Sequence, residues 1–432
     1  MGLSVKTLVA FPSTAIFGQQ AACAFDEVGS LETYLTSFAH KRSGAVARAL
    51  GALPGRRPRR VLSELERRAI TALPEDKVET RPAVEIVRTV AAKAGADVKT
   101  VDRIWDHLSK DFARAAGRRI AKDGVGAIYA YEYSALEAFA AADRLGRAKI
   151  LDFPSLNSRA FEALQRAQKD AWPELRGPND TYFENLFEIR QARRDAEMRA
   201  ADVIITNSSV TRRSHIEGGA DPQKTFAVPY GAPPPLAEAP PAPDSTRPLR
   251  VVWAGTFSIR KGAHLFVEAW RKMDPRHAVA DIYGAVVLPE RLWAPAPAGM
   301  TFHGSVVRST LFQAFATADI LMFPSLSDGF GMVVTEAFSR GLPVITTADA
   351  GASDLMRHGE NGLIIPAGDA DAIADALRWC LDNRAALAAM RPAALEAARG
   401  WQWSHYRAAL RAAVGEGLQR AGHAADFPST IA

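Results

Sequence analysis

Residues Phe323–Thr346 read FPSLSDGFGMVVTEAFSRGLPVIT, and the reading of this stretch decides the fold. The preceding ADILMFPS is a short apolar run closed by Pro324 and Ser325, as a buried strand would be. Asp328-Gly329-Phe330-Gly331 is a turn. In MVVTEAFSR the apolar Met332, Val333, Ala337 and Phe338 share one helical face, Gly341 stands where a helix stops, and LPVIT opens the next strand. A glycine turn that follows a parallel strand and opens a helix is an anion site, because backbone N–H groups point outward and the helix start carries partial positive charge. Two carboxylates frame this one, Asp328 and, eight residues on, Glu336. A carboxylate repels phosphate but accepts hydrogen bonds from paired hydroxyls. Phosphate donors and hydroxyl acceptors at one turn imply a sugar nucleotide. The alternative is an ordinary strand–turn–helix with a solvent-facing Asp and Glu.

A second stretch, RVVWAGTFSIRKGAHLFVEAW, is strand, glycine-flanked loop and helix. Arg260 and Lys261 lie where the helix starts, Arg suited to bidentate phosphate contact and Lys to a point charge. Together these stretches resemble the signature of the retaining glycosyltransferases of family 4, the glycosyl transferases group 1. The matching residues are Pro324-Ser325, the acidic Asp328, Gly329-Phe330-Gly331, the second acidic Glu336 and GLPVI, together with Gly255, Lys261 and Gly262. Two positions depart from the family pattern. Asp328 replaces the usual Glu and is one methylene shorter, and Thr256 stands where many members have Arg, so that Arg260 supplies the cation from the far side of the loop.

The resemblance implies an α/β chain of GT-B fold, with two Rossmann-like, doubly wound parallel-sheet domains facing a central cleft. It implies catalytic roles for Arg260, Lys261 and Asp328, and donor contacts at Gly255, Gly262, Val306, Gly329, Phe330, Gly331 and Glu336. Glu336 would bind ribose, Asp328 the donor sugar, and the main chain of Val306, in FHGSV, the base. The implied reaction moves a sugar from a nucleotide diphosphate sugar to a hydroxyl of a glycan or lipid-linked saccharide, with retention of configuration. By the resemblance neither a metal nor any other cofactor is expected. Two rivals stay open: another GT-B enzyme such as a sugar-nucleotide epimerase or a phosphorylase, and a non-catalytic relative that binds a nucleotide sugar or glycan.

Length, composition and charge fit this reading. A chain of 432 residues is too long for one ordinary core. Seven prolines in residues 233–248 mark a stiff linker. The expected organisation is an acceptor-binding domain over 1–232, a nucleotide-sugar domain over 249–400, and a C-terminal helix over 401–432 that crosses back to the first domain before a frayed tail. The two cysteines, Cys23 and Cys380, fit a reduced cytoplasmic protein. No apolar run reaches the about 18 residues of a membrane span, and the N-terminal stretch is too poor in apolar residues for a secretory signal. Net charge is +5, with Arg56, Arg57, Arg59 and Arg60 clustered. That strip is either a solvated helix face or a weak contact for the inner face of a membrane or a phosphorylated acceptor. No nucleic-acid-binding module accompanies it.

The first half is less informative. VKTLVAF reads as the first strand, and Gly18 alone stands in for a glycine-rich loop. Gln19 and Gln20 either touch an acceptor or begin a helix, the second reading being preferred. Residues 40–120 read as helical. Tyr131, Glu132 and Tyr133 fall at a strand end, where crevice residues belong. Many relatives carry a His near 151–160, where this chain has none. For Glu132 and Asp152 a capping or helix-pairing role competes with a catalytic one. Ser208 reads as a helix cap, and His303 as structural rather than as a base.

Overall fold

A computed structural model of the chain describes residues 5–39, 69–122, 124–241 and 243–423. Two parallel sheets organise it. The first runs in the order β3-β2-β1-β4-β5-β6-β7, with β1 Lys6–Phe11, β2 Leu31–Thr36, β3 Val78–Thr80, β4 Val125–Tyr131, β5 Ala148–Phe153, β6 Val203–Thr206 and β7 Thr225–Ala227. The second runs β10-β9-β8-β11-β12-β13, with β8 Leu249–Ala254, β9 Ala278–Tyr283, β10 Met300–Gly304, β11 Ile320–Phe323, β12 Val344–Thr347 and β13 Gly362–Ile365. In each sheet the strand order reverses beside the first strand, between β1 and β4 and between β8 and β11. Doubly wound sheets open a ligand crevice at such a point, outside the carboxyl ends of the strands.

Helices cover both faces. The first half of the chain contributes α1 Ile16–Asp26, α2 Pro82–Lys93, α3 Val98–Ile120, α4 Leu136–Arg144, α5 Ser158–Ala171, α6 Asp180–Ala200 and α7 Ser209–Glu217, of which α2 packs on α3 and α5 lies against the Ile259–Lys261 turn of the second domain. Around the second sheet lie α8 Ala263–Trp270, α9 Glu290–Trp293, α10 Arg308–Thr317, α11 Met332–Phe338, α12 Ala370–Asp382 and α13 Arg384–Gly400. The last helix, α14 Trp403–Arg420, packs on α1 and β6 of the first sheet. There Gly417 lies so close to Val203 that a Cβ would stand 2.7 Å from its side chain.

The central strands β1, β4, β8, β11 and β12 are largely apolar and buried because both faces are covered. In β1, Val9 and Phe11 enter the cluster under α1 and α14, while Leu8 and Ala10 enter the opposite cluster under α3 and α4. Each such fully buried Leu or Val contributes roughly 1.5–3 kcal/mol. The second sheet divides in the same way, with Val251 and Trp253 on one face and Val252 and Ala254 on the other.

The first half differs from its sequence reading in two places. The stretch expected to be helical up to residue 120 contains a 3₁₀ turn, Glu75–Lys77, and the short edge strand β3. Three residues are too few to show a period. Gly18 is not in a loop but inside α1, where a Cβ would stand 2.2 Å from the Phe11 ring. It is there for packing. Gln20 accepts a hydrogen bond from Arg407 of α14 at 2.6 Å, so both glutamines belong to the helix. Arg56, Arg57, Arg59 and Arg60 lie outside the described residues. Cys23 and Cys380 are both buried and unbridged. No helix among the described residues is long and apolar enough to cross a membrane.

Candidate active site

The loops that leave β8 and β11 meet at the switch point of the second sheet. The first loop passes Gly255, makes a 3₁₀ turn over Ile259–Lys261 and enters α8 through Gly262. Gly262 has φ +75°, and a Cβ there would stand 2.1 Å from the Pro324 carbonyl oxygen at the exit of β11. Only glycine lets the two loops touch. The contact is sealed where the Leu326 N–H donates to the Arg260 carbonyl at 3.0 Å.

This places the two cations beside Asp328. The Lys261 ammonium is in direct contact with Asp328 Oδ2, and Arg260 Nη1 lies 3.3 Å from the same oxygen. Lys261 is also seated 4.3 Å above the centroid of the Phe323 ring. Burial and the neighbouring Arg260 charge both push the Lys261 pKa down; the touching carboxylate opposes that shift. Asp328 Oδ1 accepts the Phe330 N–H at 3.2 Å, which closes the turn on itself.

Glu336, on α11, is largely buried and pairs with Arg308 at the start of α10, 2.9 Å away. Burial pushes its carboxyl upward while Arg308 pulls it down, the net shift being upward. Val306 is partly exposed in the loop after β10, two residues before Arg308. His303 Nε2 lies 2.7 Å from Asp281 Oδ1, and its ring stacks on Tyr283 at 4.5 Å, on the edge strand of the sheet.

Two residues of the glycine turn have occupations that local sequence does not reveal. The Phe330 ring is buried against Tyr230 in the core of the first domain, and its amide is engaged by Asp328. Gly329 is pressed against the first domain: a Cβ would stand 2.2 Å from the Pro154 carbonyl oxygen. The Gly329 carbonyl accepts hydrogen bonds from Ser208 at 2.7 Å and Thr211 at 3.0 Å. Ser208 does cap α7, accepting from the Thr211 N–H at 3.0 Å, while its own hydroxyl ties the domains together. Nearby, Asp354 accepts from the Ser209 N–H at 2.7 Å. The start of α7 is thus a clasp on the turn after β11.

Between the domains the clasp leaves a cavity of about 440 Å³. Its second-domain wall is Arg260, Ser327, Asp328 and Gly329; its first-domain wall includes Glu132, Ser155, Phe161 and Arg194. That volume is in the range of small-molecule sites. Asp152 does not line it. The Asp152 side chain is buried under the first sheet, accepting from the Tyr129 hydroxyl at 2.5 Å, and burial pushes its carboxyl up to about 7.

Residues 248–383 match the family described as glycosyl transferases group 1. Over these residues the second domain is similar to the glycosyl transferases group 1. Curated proteins similar to this chain include a D-inositol 3-phosphate glycosyltransferase of Nocardioides, 37% identical over 104 residues, which are 24% of this chain and 23% of the relative. Another is a sulfoquinovosyl transferase of Arabidopsis thaliana, 30% identical over 162 residues, 36% of this chain and 31% of that one. The matched part therefore spans less than a third of either relative. Over nearly the whole chain the fold matches Anabaena HepE, crystallised with UDP-glucose, at TM-score 0.61 and 16% identity, covering 94% of this chain and 98% of that one. It also matches sucrose-phosphate synthase of Thermosynechococcus elongatus at TM-score 0.59 and 18% identity, covering 94% and 96%. Two Rossmann-like parallel sheets facing one cleft are the GT-B fold.

The sequence reading named Arg260, Lys261, Asp328 and Glu336, and the fold gathers the first three into one cluster. It did not single out Arg308, Arg194, Thr211 or the clasp role of Ser208. Arg308 and Arg194 meet their partners only across the fold, and no local pattern marks them. Ser208 did carry a signal, the cap, but a cap explains itself without a second partner.

Proposed function

We propose that the protein transfers a sugar from a nucleotide diphosphate sugar to a hydroxyl of a saccharide or lipid-linked acceptor, with retention of configuration. The observation that carries this reading is the convergence of Arg260, Lys261 and Asp328 at the switch point, where Arg260 and Asp328 face the first domain across a cavity. The diphosphate of the donor takes the place of the Asp328 carboxylate on Lys261 and Arg260. Charge grows on the leaving diphosphate as the glycosidic bond breaks, and the two fixed cations stabilise it there. Asp328, displaced, accepts from hydroxyls of the transferred sugar. Glu336, held by Arg308, accepts from the ribose, and the Val306 main chain meets the base. The acceptor enters from the first-domain side.

The deciding experiment is a thermal-shift panel of UDP, GDP, ADP and their sugar conjugates against the wild type and Lys261→Ala. A ligand at about 100 times its Kd adds roughly 2.7 kcal/mol to stability. A shift with one base, lost in the variant, supports the reading, and no shift with any of them contradicts it. Hydrolysis of the bound donor separates an enzyme from a protein that only binds the nucleotide sugar.

A further inference from the structure

The first-domain wall of the cavity carries an acid and a base whose hydrogen-bonding capacity is not used up. Glu132 follows β4 directly. Its carboxylate accepts from the Ser155 hydroxyl at 2.5 Å, and its other oxygen lies 3.6 Å from Arg194 Nε, too far for a hydrogen bond. Arg194 Nε is buried and has no hydrogen-bond partner. A buried N–H left unpaired is costly, so this guanidinium is not placed by local hydrogen bonding alone. Both side chains face the cavity, with 16% and 21% of their surface accessible.

Their placement is enforced from behind. Glu197 of α6, fully buried, accepts the backbone N–H groups of Tyr133 at 2.5 Å, Ala135 at 2.9 Å and Leu136 at 3.0 Å. Arg193 Nε donates to the Tyr133 carbonyl at 3.0 Å. These bonds hold Tyr133 at φ +67°, in the left-handed region that a tyrosine rarely adopts. Strain of this kind persists only where surrounding contacts impose it. Its result is a sharp turn at the end of β4 beside Glu132. Glu132 does no capping: the cap position of α4, Ala135, has no side-chain bond, and Glu197 serves the backbone there instead.

Resting on the nucleotide-sugar reading, we propose that Glu132 and Arg194 form the first-domain half of the sugar site. The Glu132 carboxylate accepts from one hydroxyl of the transferred sugar, and the accessible part of the Arg194 guanidinium donates to its neighbour. A paired acceptor and donor at this spacing suits two adjacent hydroxyls, each of which both gives and takes a hydrogen bond. Arg260 and Asp328 lie on the opposite wall, so a sugar attached to a diphosphate on Arg260 and Lys261 extends into this space.

The test compares diphosphate with sugar conjugate. Calorimetry measures the affinity of UDP, GDP and ADP, and of their hexose conjugates, for the wild type, Glu132→Gln and Arg194→Lys. Both variants conserve size, and melting temperatures within a few degrees of wild type confirm that they fold. Each is expected to bind the free diphosphate as wild type does and to bind the sugar conjugate about tenfold more weakly, the loss of one hydrogen bond to a charged group. Unchanged affinity for both ligands would overturn the assignment, as would a wild type that gains nothing from the sugar. Equal weakening for both ligands would also overturn it, showing a general structural role. Failure of the wild type to bind any diphosphate would instead overturn the nucleotide-sugar reading, and the inference with it.

Discussion

The Lys261 ammonium and the Asp328 carboxylate touch at the floor of the cleft, each with 13% of its side chain accessible, although they arrive on different loops. The pair means that the proposed diphosphate site is filled by an anion of the protein itself. A donor must displace Asp328 before Lys261 and Arg260 can hold it. The same displacement frees the carboxylate for the sugar.

Asp328→Asn removes that competitor. The variant is expected to bind free nucleotide diphosphate about tenfold more tightly, about 1.4 kcal/mol, while losing stability in the absence of ligand because Lys261 is left buried beside Arg260 alone. Turnover is expected to fall at least tenfold for want of the sugar contact. Calorimetry and a melting curve read both effects. Weaker diphosphate binding than wild type would show that Asp328 does not compete.

Lys261→Ala is expected to lower turnover at least tenfold, corresponding to about 1.4 kcal/mol of transition-state stabilisation. Steady-state rates with a saturating donor measure it. Near-normal turnover would remove Lys261 from the leaving-group site.

Glu336→Ala is expected to weaken nucleotide binding about tenfold, since hydrogen bonds to a carboxylate are worth roughly 1.5–3 kcal/mol. Arg308→Ala acts in the same direction by releasing the Glu336 side chain from its partner. Unchanged affinity in calorimetry would exclude both from the ribose site.

Gly329→Ala tests the clasp. The added methyl meets the Pro154 carbonyl oxygen at 2.2 Å, backbone that cannot move aside cheaply. The expected cost is about 1–3 kcal/mol of stability, with the domains held further apart and a larger radius of gyration in small-angle scattering. A neutral substitution would mean that the two domains do not meet there in solution.

Asp152 sets a pH dependence. Its folded pKa of about 7, raised by burial, lies above the ordinary value of 3.8. The folded state therefore binds the proton more tightly than the unfolded state. From this group, stability is greatest below pH about 4, falls as pH rises between about 4 and 7, and is level above. The full difference is on the order of 4 kcal/mol. Asp152→Asn keeps an acceptor for the Tyr129 hydroxyl and is expected to abolish that slope, making the variant the more stable of the two at pH 8. Parallel melting curves of the two proteins across pH 4–8 would argue against it.

The stretch after β11 was legible because its signals are local. Strand, turn, helix and stop follow from apolar runs, Pro324 and the glycines, all within a few residues of one another, although the buried face of the helix is Val334, Thr335, Ala337 and Phe338 rather than one that includes Met332 and Val333. The loop after β8 was legible for the same reason. The two-sheet fold was then implied by the family resemblance that these two stretches carry. Residue type likewise marked Arg260, Lys261, Asp328 and Glu336 as chemistry-bearing.

What the side chains do to one another was decided only by tertiary structure. Sequence suggests that Gly329 spares room for a ligand, yet the fold gives that room to Pro154 of the other domain. Phe330 reads as part of a binding turn, yet its ring completes the first-domain core. Glu132 and Arg194 come from a strand end and a helix, and reach the cavity only because Glu197 bends the chain between them into place. Local pattern records the conformation each segment prefers. Which segments are neighbours is set by the joint burial of both sheets, and that depends on contacts far apart in the chain.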